Sequence, residues 1–438
     1  MSQHTIPNDP FTQLLQRIRQ QIAQGQLQEA AQALNAAQAQ RPRDARIALL
    51  GMRLAEQGGQ LDGAVQAARR AVALEPQWPV ALIELARLLV NQGAYAEAMQ
   101  HARQAVAQAA QDMQVLRMAL GVAGKAVERE QAVAWARQAL AIDPDDVMVR
   151  LVLAQQLLDL QDFGPSRQAY EDVLAREPGR YEAQLGLVSL LHQAGQASDA
   201  RRLADELLAR HPDDEQVRYW HGMAHGQAPQ LPPTMVAEMF DRQAASFDAH
   251  LVRDLQYRVP QLAADRLLAL YPDRVFNLLD LGCGTGLLGM CLGPIRGHMI
   301  GVDLSEKMID QAIRHRVYSR FHIVNLLDAL RDTPSAHYEA IACLDTLIYV
   351  GDLAPVIPDA LRILKPSGHF IFSCETAAED EADWVLRPSN RFAHKASHVQ
   401  RLCREAGFDD VRIEQLPSLR LEAGQPVPGF LVIARKPA

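Results

Sequence analysis

The sequence predicts a two-part chain, in which an all-helical repeat solenoid is followed by an α/β domain with a seven-stranded, mainly parallel sheet. Small and helix-terminating residues recur every 34 positions through the first half of the chain. Short apolar runs alternate with helical stretches through the second half, which is typical of a doubly wound sheet. The length of 438 residues also fits two or three domains of ~100–200 residues rather than one core.

The composition is that of an ordinary globular protein, with 48% apolar and 22% charged residues. The net charge is −8, and residues 1–226, with 22 basic and 26 acidic residues, carry half of it. Neither part is basic, so we expect no nucleic-acid partner. We expect no signal peptide, no membrane span and no metal site, and a cytoplasmic protein with reduced thiols. Its five cysteines lack zinc-ligand spacing: Cys283, Cys291, Cys343, Cys374 and Cys403.

Three sets of residues share the 34-residue period. In each unit a glycine, or the residue in its place, would form the turn between two helices. A small residue would let the two helices approach closely, and a proline would end the second helix. The glycines are Gly25, Gly59, Gly93 and Gly195. The small residues are Ala30, Ala64, Ala98, Ala132, Ser166 and Ala200. The prolines are Pro42, Pro76, Pro144, Pro178 and Pro212.

This pattern resembles the tetratricopeptide repeat over residues 11–226. Six helix pairs would run from 11–44 to 181–214, and residues 215–226 would form a capping helix. The fourth unit departs from the pattern because Val127 stands where most units have glycine, yet its helices should survive. The resemblance implies a concave groove that docks a protein or peptide partner, or a second copy of the chain. The alternative is a spacer that only separates domains.

A stiff Pro-rich linker is predicted over residues 227–233, followed by two helices over 234–270 that are broken near Pro260. Seven apolar runs come next, and the last two could form an antiparallel pair. In such a sheet a ligand binds beyond the carboxyl ends of the strands. The runs are Val275–Leu281, His298–Asp303, Phe321–Val324, Ala340–Leu344, His369–Ser373, Val411–Gln415 and Gly429–Ala434.

The first run leads into a glycine-rich turn, Asp280-Leu-Gly282-Cys283-Gly284-Thr-Gly286. Glycines here let the backbone approach a ligand closely, and the following helix offers free N–H groups. The same glycines also satisfy the dinucleotide fingerprint, with Asp303 at the distance expected of a ribose-binding acid. The turn alone therefore leaves both NAD and S-adenosylmethionine open.

Three features favour S-adenosylmethionine. Asp280 inside the turn suits a cationic amino-acid head and would repel a pyrophosphate. Residues 364–368, Leu-Lys-Pro-Ser-Gly, resemble the turn before the fifth strand of class I methyltransferases. The closing strand pair resembles the antiparallel seventh strand of that fold. Residues 234–438 thus resemble a class I, Rossmann-like methyltransferase domain, and the whole chain resembles bacterial proteins that fuse tetratricopeptide repeats to such a domain.

The resemblance implies roles for individual residues. Asp280 and the turn at Gly282, Cys283, Gly284 and Gly286 would hold the methionyl part of the cofactor. Asp303 would accept hydrogen bonds from the ribose hydroxyls, although it could instead cap a helix, a role for which Ser305 competes. Leu304, Met308 and Leu326 would line the adenine. The Met308 side chain could instead fill the hydrophobic core. Asn325, or alternatively Asp328, would accept from the adenine amino group, and Asp345 would lie at the pocket mouth.

Residues 240–248 resemble the helical lid that precedes the sheet in many small-molecule methyltransferases. The resemblance implies that Phe247, His250 and Tyr257 line the pocket, whereas the alternative is a plain helix pair on one sheet face. Methyl transfer is an in-line displacement, so a base is needed only if the acceptor must lose a proton. His394 and Tyr349 are the candidate bases, with His250 third.

The acceptor could be a small molecule or a protein, and neither its chemistry nor the oligomeric state is predicted. Two other functions stay open at this point: a non-catalytic scaffold that binds S-adenosylmethionine, and an NAD-dependent oxidoreductase.

Overall fold

The computed structural model describes residues 9–227, 230–244, 257–387, 389–422 and 425–438. The chain divides into two compact units, Met1–Leu203 and Ala204–Ala438. The division falls inside a helix of the last repeat, and the array's predicted end at residue 226 stays a prediction. No helix among the described residues is both long and apolar enough to cross a membrane.

The repeat region consists of twelve helices in six consecutive pairs, as the 34-residue period predicts. A thirteenth helix, α13 (Glu215–Ala224), follows where a capping helix is expected. The pairs are α1 (Pro10–Ala23) with α2 (Leu27–Gln40), α3 (Ala45–Gln57) with α4 (Leu61–Leu74), α5 (Pro79–Asn91) with α6 (Tyr95–Gln108), α7 (Met113–Lys125) with α8 (Arg129–Ile142), α9 (Val147–Asp159) with α10 (Phe163–Arg176), and α11 (Tyr181–Gln193) with α12 (Ala197–Arg210).

The periodic residues behave as their chemistry predicts. All six small residues, from Ala30 to Ala200, are fully buried, which is what close helix contact requires. The four glycines between paired helices all have positive φ. Val127 occupies the same place in the fourth unit and also has a positive φ, of 59°. The fourth pair therefore keeps its helices, at the cost of a left-handed β-branched residue.

Adjacent repeats are joined by side-chain hydrogen bonds that follow the period. Arg70, Gln104 and Gln138 each donate to a backbone carbonyl 28 residues earlier, in the loop that ends the preceding repeat. The acceptors are the carbonyls of Pro42, Pro76 and Ala110. These bonds tie the first four repeats together, each to its nearest neighbour.

The second unit continues with α14 (Pro233–Gln243) and α15 (Val259–Leu270), and then alternates strands with helices. Strands β1–β5 are Leu278–Leu281, Met299–Asp303, Arg320–Ile323, Tyr338–Cys343 and Leu364–Thr376, and β6–β9 are Trp384–Leu386, Phe392–His394, Asp410–Glu422 and Gln425–Arg435. The helices between them are α16 (Leu287–Leu292), α17 (Glu306–Arg314), α18 (Leu326–Asp332), α19 (Ile357–Ile363) and α20 (Ala396–Ala406).

The sheet is doubly wound, as predicted. Strands β3, β2, β1, β4 and β5 pair in that order and run parallel. The predicted antiparallel pair at the end of the chain is also present, because β9 lies between β5 and β8. The strand order reverses between β1 and β4, so their carboxyl ends form the crevice in which ligands bind in such sheets.

The sheet differs from the sequence prediction in two places. The described residues form nine strands rather than seven, because β6 and β7 pair with each other and β7 extends along the end of β5. Each has only three residues, too few to show a period of two. The predicted turn over 365–368 instead lies within β5, as a bulge where Ser367 has a φ of 59° and the pairing with β4 shifts register.

Candidate active site

The glycine turn leaves the carboxyl end of β1 in a left-handed backbone. Gly282, Gly284 and Gly286 have φ of 69°, 53° and 86°. A Cβ atom on Gly282 would also overlap the side chain of Thr346, so both the conformation and the space require glycine. The turn therefore presents bare backbone at the crevice between β1 and β4.

Asp280, which was expected inside the turn, lies on β1, two residues before Gly282, and is almost completely buried. The Tyr318 hydroxyl donates a hydrogen bond of 2.6 Å to its Oδ2, and the Gly289 N–H donates to the same hydroxyl at 3.2 Å. Burial raises the pKa of Asp280 to about 7; the Tyr318 hydrogen bond lowers it and the charge of Asp303 raises it. Sequence reasoning missed Tyr318, which lies in a loop and belongs to no motif.

Asp303 ends β2 and is held by backbone on both sides. The Gly284 N–H donates to its Oδ2 at 2.8 Å, and the Ser305 N–H donates to its Oδ1 at 2.9 Å. Burial raises its pKa, and these backbone hydrogen bonds oppose the rise. Ser305 is the residue that caps α17, because its Oγ accepts from the Met308 N–H at 3.1 Å. The capping role weighed for Asp303 therefore falls to Ser305, and each Asp303 oxygen keeps a lone pair for another donor.

Helix α14 packs beside this cluster. Asp241 accepts a hydrogen bond of 2.6 Å from the Ser305 hydroxyl, and the rings of Phe240 and Tyr349 meet edge to face, 5.5 Å apart. The first part of the predicted lid segment thus contacts the residues that follow β2 and β4. Phe247 and His250, which were expected to line the pocket, lie outside the described residues.

Tyr257 is the described member of the predicted lining residues. Its side chain is buried and belongs to the apolar cluster around β1 and β4. Its hydroxyl is also buried, and it has no hydrogen-bond partner among the described residues. Burial raises its pKa well above 10, and the carboxylates of Asp345 and Asp280 act in the same direction. A neutral hydroxyl is therefore available inside this part of the fold.

The residues expected around an adenine lie after β2 and β3. Leu304 is half-buried, whereas Met308 is buried within α17. The Asn325 side chain caps α18, since its Oδ1 accepts from the Leu327 N–H at 2.8 Å. Only the second lone pair of that oxygen could accept from an adenine amino group. Asp328, the alternative acceptor, pairs with Arg331 at 2.6 Å, and Leu326 begins the same helix.

An ionic cluster follows the carboxyl ends of β4 and β5. Arg420 on β8 donates to Asp345 Oδ1 at 2.5 Å and to Glu375 Oε1. The side chains of Arg420 and Glu375 are 2% and 5% exposed, so this is a buried ion-pair network. Burial raises the pKa of Glu375 and Arg420 opposes that rise. Sequence reasoning named only Asp345, because Glu375 and Arg420 are distant in sequence and carry no motif.

The two candidate bases differ in their surroundings. Tyr349 is half-buried beside Phe240; burial raises its pKa, and the charge and hydrogen bond of Arg391 lower it. His394 is fully buried, and its Nε2 lies 2.8 Å from the Gly351 carbonyl, to which it donates. Its Nδ1 has no hydrogen-bond partner among the described residues. Burial lowers the pKa of His394, so its imidazole is neutral at neutral pH.

Comparison with known proteins gives the chain two recognisable parts. A family model described as a methyltransferase domain matches residues 251–413. Two family models described as tetratricopeptide repeats match residues 54–121 and 157–222, and residues 15–79. The methyltransferase match contains the glycine turn, Asp303, Asp345 and Glu375, whereas Arg420 lies beyond it.

Individual relatives are similar to part of this chain. The ubiquinone biosynthesis O-methyltransferases of Thiobacillus denitrificans and Idiomarina loihiensis are 29% and 28% identical over 149 and 156 residues. These alignments cover 30% and 32% of this chain and 64% of each relative, which is less than two thirds of their length. The crystal structure of a magnesium protoporphyrin IX methyltransferase from Synechocystis PCC 6803 is 20% identical and covers 47% of this chain and 99% of its own, with a TM-score of 0.36.

Proposed function

Because the chain joins tetratricopeptide repeats to a methyltransferase domain, we propose that it transfers a methyl group from S-adenosylmethionine to an acceptor bound beside Asp345 and Tyr349. The observation that carries the proposal is the pair of acids beside the glycine turn. Asp280 is buried at the carboxyl end of β1, directly before the turn, and the half-buried Asp303 accepts a hydrogen bond from the Gly284 N–H in the turn. Both belong to the segment that the methyltransferase model matches.

The arrangement fits S-adenosylmethionine better than NAD. An ionised Asp280 attracts the cationic amine of a methionyl group, whereas it repels a pyrophosphate. Helix α16, which follows the turn, has only six residues, so its dipole offers little to a diphosphate. The free lone pairs of Asp303 suit the two ribose hydroxyls, and Leu304, Met308, Asn325 and Leu326 would surround the adenine.

The cofactor supplies an activated methyl group, and the residues of the chain align the acceptor with it. Asp345 and Tyr349 follow β4 and would lie next to the methionyl end of the cofactor. Of the two candidate bases, Tyr349 is the one that lies half-buried next to α14, but burial raises its pKa, so its hydroxyl stays protonated at neutral pH and would orient the acceptor rather than remove its proton. His394 donates from Nε2 to a backbone carbonyl and is fully buried, so it would act by positioning residues 350–351.

The repeat array would recruit the acceptor or a partner. Tetratricopeptide repeats present a concave surface of stacked helices, which suits an extended peptide or protein segment. Under this proposal the array selects the partner, and the second unit carries out the methyl transfer. A non-catalytic scaffold is the second candidate, because the fit of the turn to the cofactor concerns binding rather than turnover.

The first test is ligand-dependent thermal unfolding of the full-length protein. A ligand that binds only the folded state at 100 times its Kd stabilises it by about 2.7 kcal/mol. We expect S-adenosylhomocysteine to raise the Tm and NADH to leave it unchanged. The opposite pattern would identify a dinucleotide enzyme instead.

Turnover is measured separately, as the formation of S-adenosylhomocysteine from S-adenosylmethionine in the presence of fractionated bacterial metabolites and proteins. Product formation that requires a fraction and is lost in Asp303→Ala would support methyl transfer. Tight cofactor binding with no product in any fraction would support the scaffold.

A further inference from the structure

A histidine pair on α13 shares one carboxylate with α12. His221 and His225 are one helical turn apart, and their ring centroids are 4.3 Å apart. The Nε2 atoms of both rings lie 2.9 Å from the same oxygen, Oδ1 of Asp205. All three residues belong to the unit Ala204–Ala438. We propose that Asp205, His221 and His225 form a binding site for a divalent transition metal, with Zn²⁺ as the expected ion.

The geometry is close to that of a three-ligand metal site. One atom from each side chain lies within 4.8 Å of the other two. Zinc is bound at ~2.0–2.1 Å by imidazole nitrogen and ~2.0–2.2 Å by carboxylate oxygen, which places neighbouring ligand atoms of a tetrahedral site ~3.3–3.5 Å apart. The observed separations of 2.9 Å between nitrogen and oxygen need to widen by about half an ångström, a range that side-chain rotation supplies.

The donor set selects the class of ion. Imidazole nitrogens favour zinc and its neighbours over magnesium and calcium, which prefer oxygen ligands. His221 lies in the last turn of α13 and His225 is its C-cap residue, whose N–H donates to the His221 carbonyl, so the helix end holds the two ligands in a fixed relationship. In the structure the carboxylate accepts from both rings, and these hydrogen bonds, led by that of His225, lower the pKa of Asp205. A bound metal would take the place of the two Nε2 protons.

The site is open to solvent. The side chains of His221, His225 and Asp205 are 25%, 33% and 55% exposed. Three protein ligands leave at least one coordination position for water or for a side chain of another protein. The metal would also tie the carboxyl-terminal half of α12 to α13. The sequence analysis expected no metal site, because Asp205 meets the two histidines only through the packing of two helices.

The test is titration of the full-length, tag-free protein with ZnCl₂, followed by calorimetry. We expect one Zn²⁺ per chain and a higher Tm when zinc is present. His221→Ala, His225→Ala and Asp205→Ala should each weaken zinc binding at least tenfold. His298→Ala is the matched control, since it removes an exposed imidazole elsewhere in the same unit and should bind zinc as the unchanged protein does.

Cobalt provides a second readout that does not depend on stability. Co²⁺ bound by two imidazoles and a carboxylate gives visible absorption bands, which should be absent in His225→Ala. Far-UV circular dichroism of each variant checks that α12 and α13 are still formed. The proposal is overturned if the unchanged protein binds no zinc, or if a folded His221→Ala, His225→Ala or Asp205→Ala variant binds it equally well.

Discussion

The Tyr318 hydroxyl donates a hydrogen bond of 2.6 Å to the carboxylate of Asp280. Through the Gly289 N–H, the same hydroxyl is also bonded to the helix that follows the glycine turn. Burial holds the pKa of Asp280 at about 7 despite this hydrogen bond. The charge of this acid, directly before the turn, therefore changes close to neutral pH, and Tyr318 lowers the pH at which that change occurs.

Cofactor affinity should depend on pH for this reason. The ionised form of Asp280 attracts the cationic amine of S-adenosylhomocysteine, so affinity should rise as the pH increases through about 7. Tyr318→Phe removes a hydrogen bond that lowers the pKa of Asp280, so the midpoint of the rise should move to higher pH. Calorimetry across the range of about pH 6 to 8.5 measures both midpoints. Asp280→Asn is the control and should show no such rise; an unmoved midpoint in Tyr318→Phe would contradict the assignment.

The ionised form of Asp280 should also lower the stability of the folded protein at alkaline pH. Its pKa in the folded protein lies above the ordinary value of 3.8, so the folded state binds the proton more tightly than the unfolded state does. Stability from this group is present at low pH and is lost as the pH rises through the folded pKa of about 7. Asp280→Asn should therefore have a higher Tm than the unchanged protein at about pH 8, and the difference should shrink below about pH 6. A lower Tm for Asp280→Asn at both pH values would show that the charged form stabilises the fold.

Asp303→Ala should abolish measurable binding of S-adenosylhomocysteine. The substitution removes both proposed ribose contacts and frees the Gly284 and Ser305 N–H groups that the carboxylate now binds. Hydrogen bonds to a charged group contribute ~1.5–3 kcal/mol each, so two correspond to a loss of about 100-fold or more. Asp303→Asn keeps one acceptor oxygen, so its affinity for S-adenosylhomocysteine should lie between that of the unchanged protein and that of Asp303→Ala. Equal affinity in a folded Asp303→Ala variant would exclude the ribose role.

Arg420→Met should destabilise the second unit by ~3–5 kcal/mol, because it leaves Asp345 and Glu375 buried without their cation. The loss should be smaller at low pH, since burial already raises the pKa of Glu375 and protonation removes its charge. Urea unfolding at two pH values measures this difference.

The double variant Arg420→Met/Glu375→Gln serves as its control. Removing the second charge should restore part of the stability lost in Arg420→Met. A double variant less stable than Arg420→Met would indicate that Glu375 contributes through contacts other than Arg420.

Val127→Gly should stabilise the repeat array. A left-handed conformation costs a residue with a Cβ ~1–2 kcal/mol, and the higher chain entropy of glycine in the unfolded state returns part of the gain. Val127 is 58% exposed, so little packing is lost, and the net gain should be about 1 kcal/mol. Differential scanning calorimetry should show a Tm increase of a few degrees. Gly59→Val, at the equivalent position with a φ of 71°, should lower the Tm by a similar amount.

The repeat array was predictable because its information is local and repeated. Ala30 and its five counterparts each report one close helix contact, and a period of 34 residues places them all. The replacement of glycine by Val127 was visible in the sequence as well, but the backbone conformation that Val127 adopts was not. Neighbouring contacts hold both helices of that unit in place, and the strain is confined to one backbone dihedral angle.

The site was predictable only where a motif is continuous in sequence. Asp280 and the glycines lie within seven residues, and Asp303 follows at the next strand end. Tyr318 is 38 residues from Asp280, and Arg420 is 75 residues from Asp345, so each pairing exists only because the sheet brings distant strands together. Charged residues at such positions look like ordinary surface residues until the fold buries them.

The hydrogen bonds between adjacent repeats affect how the number of repeats in this protein could change during evolution. Each donor, such as Gln104, reaches a carbonyl that lies 28 residues earlier, and the equivalent carbonyl recurs in every unit. If a mutation removed or duplicated one whole stretch of 34 residues, each remaining donor would still find an acceptor of the same kind. The array can therefore gain or lose whole repeats during evolution, so that its length changes while the chemistry of the second unit stays unaltered.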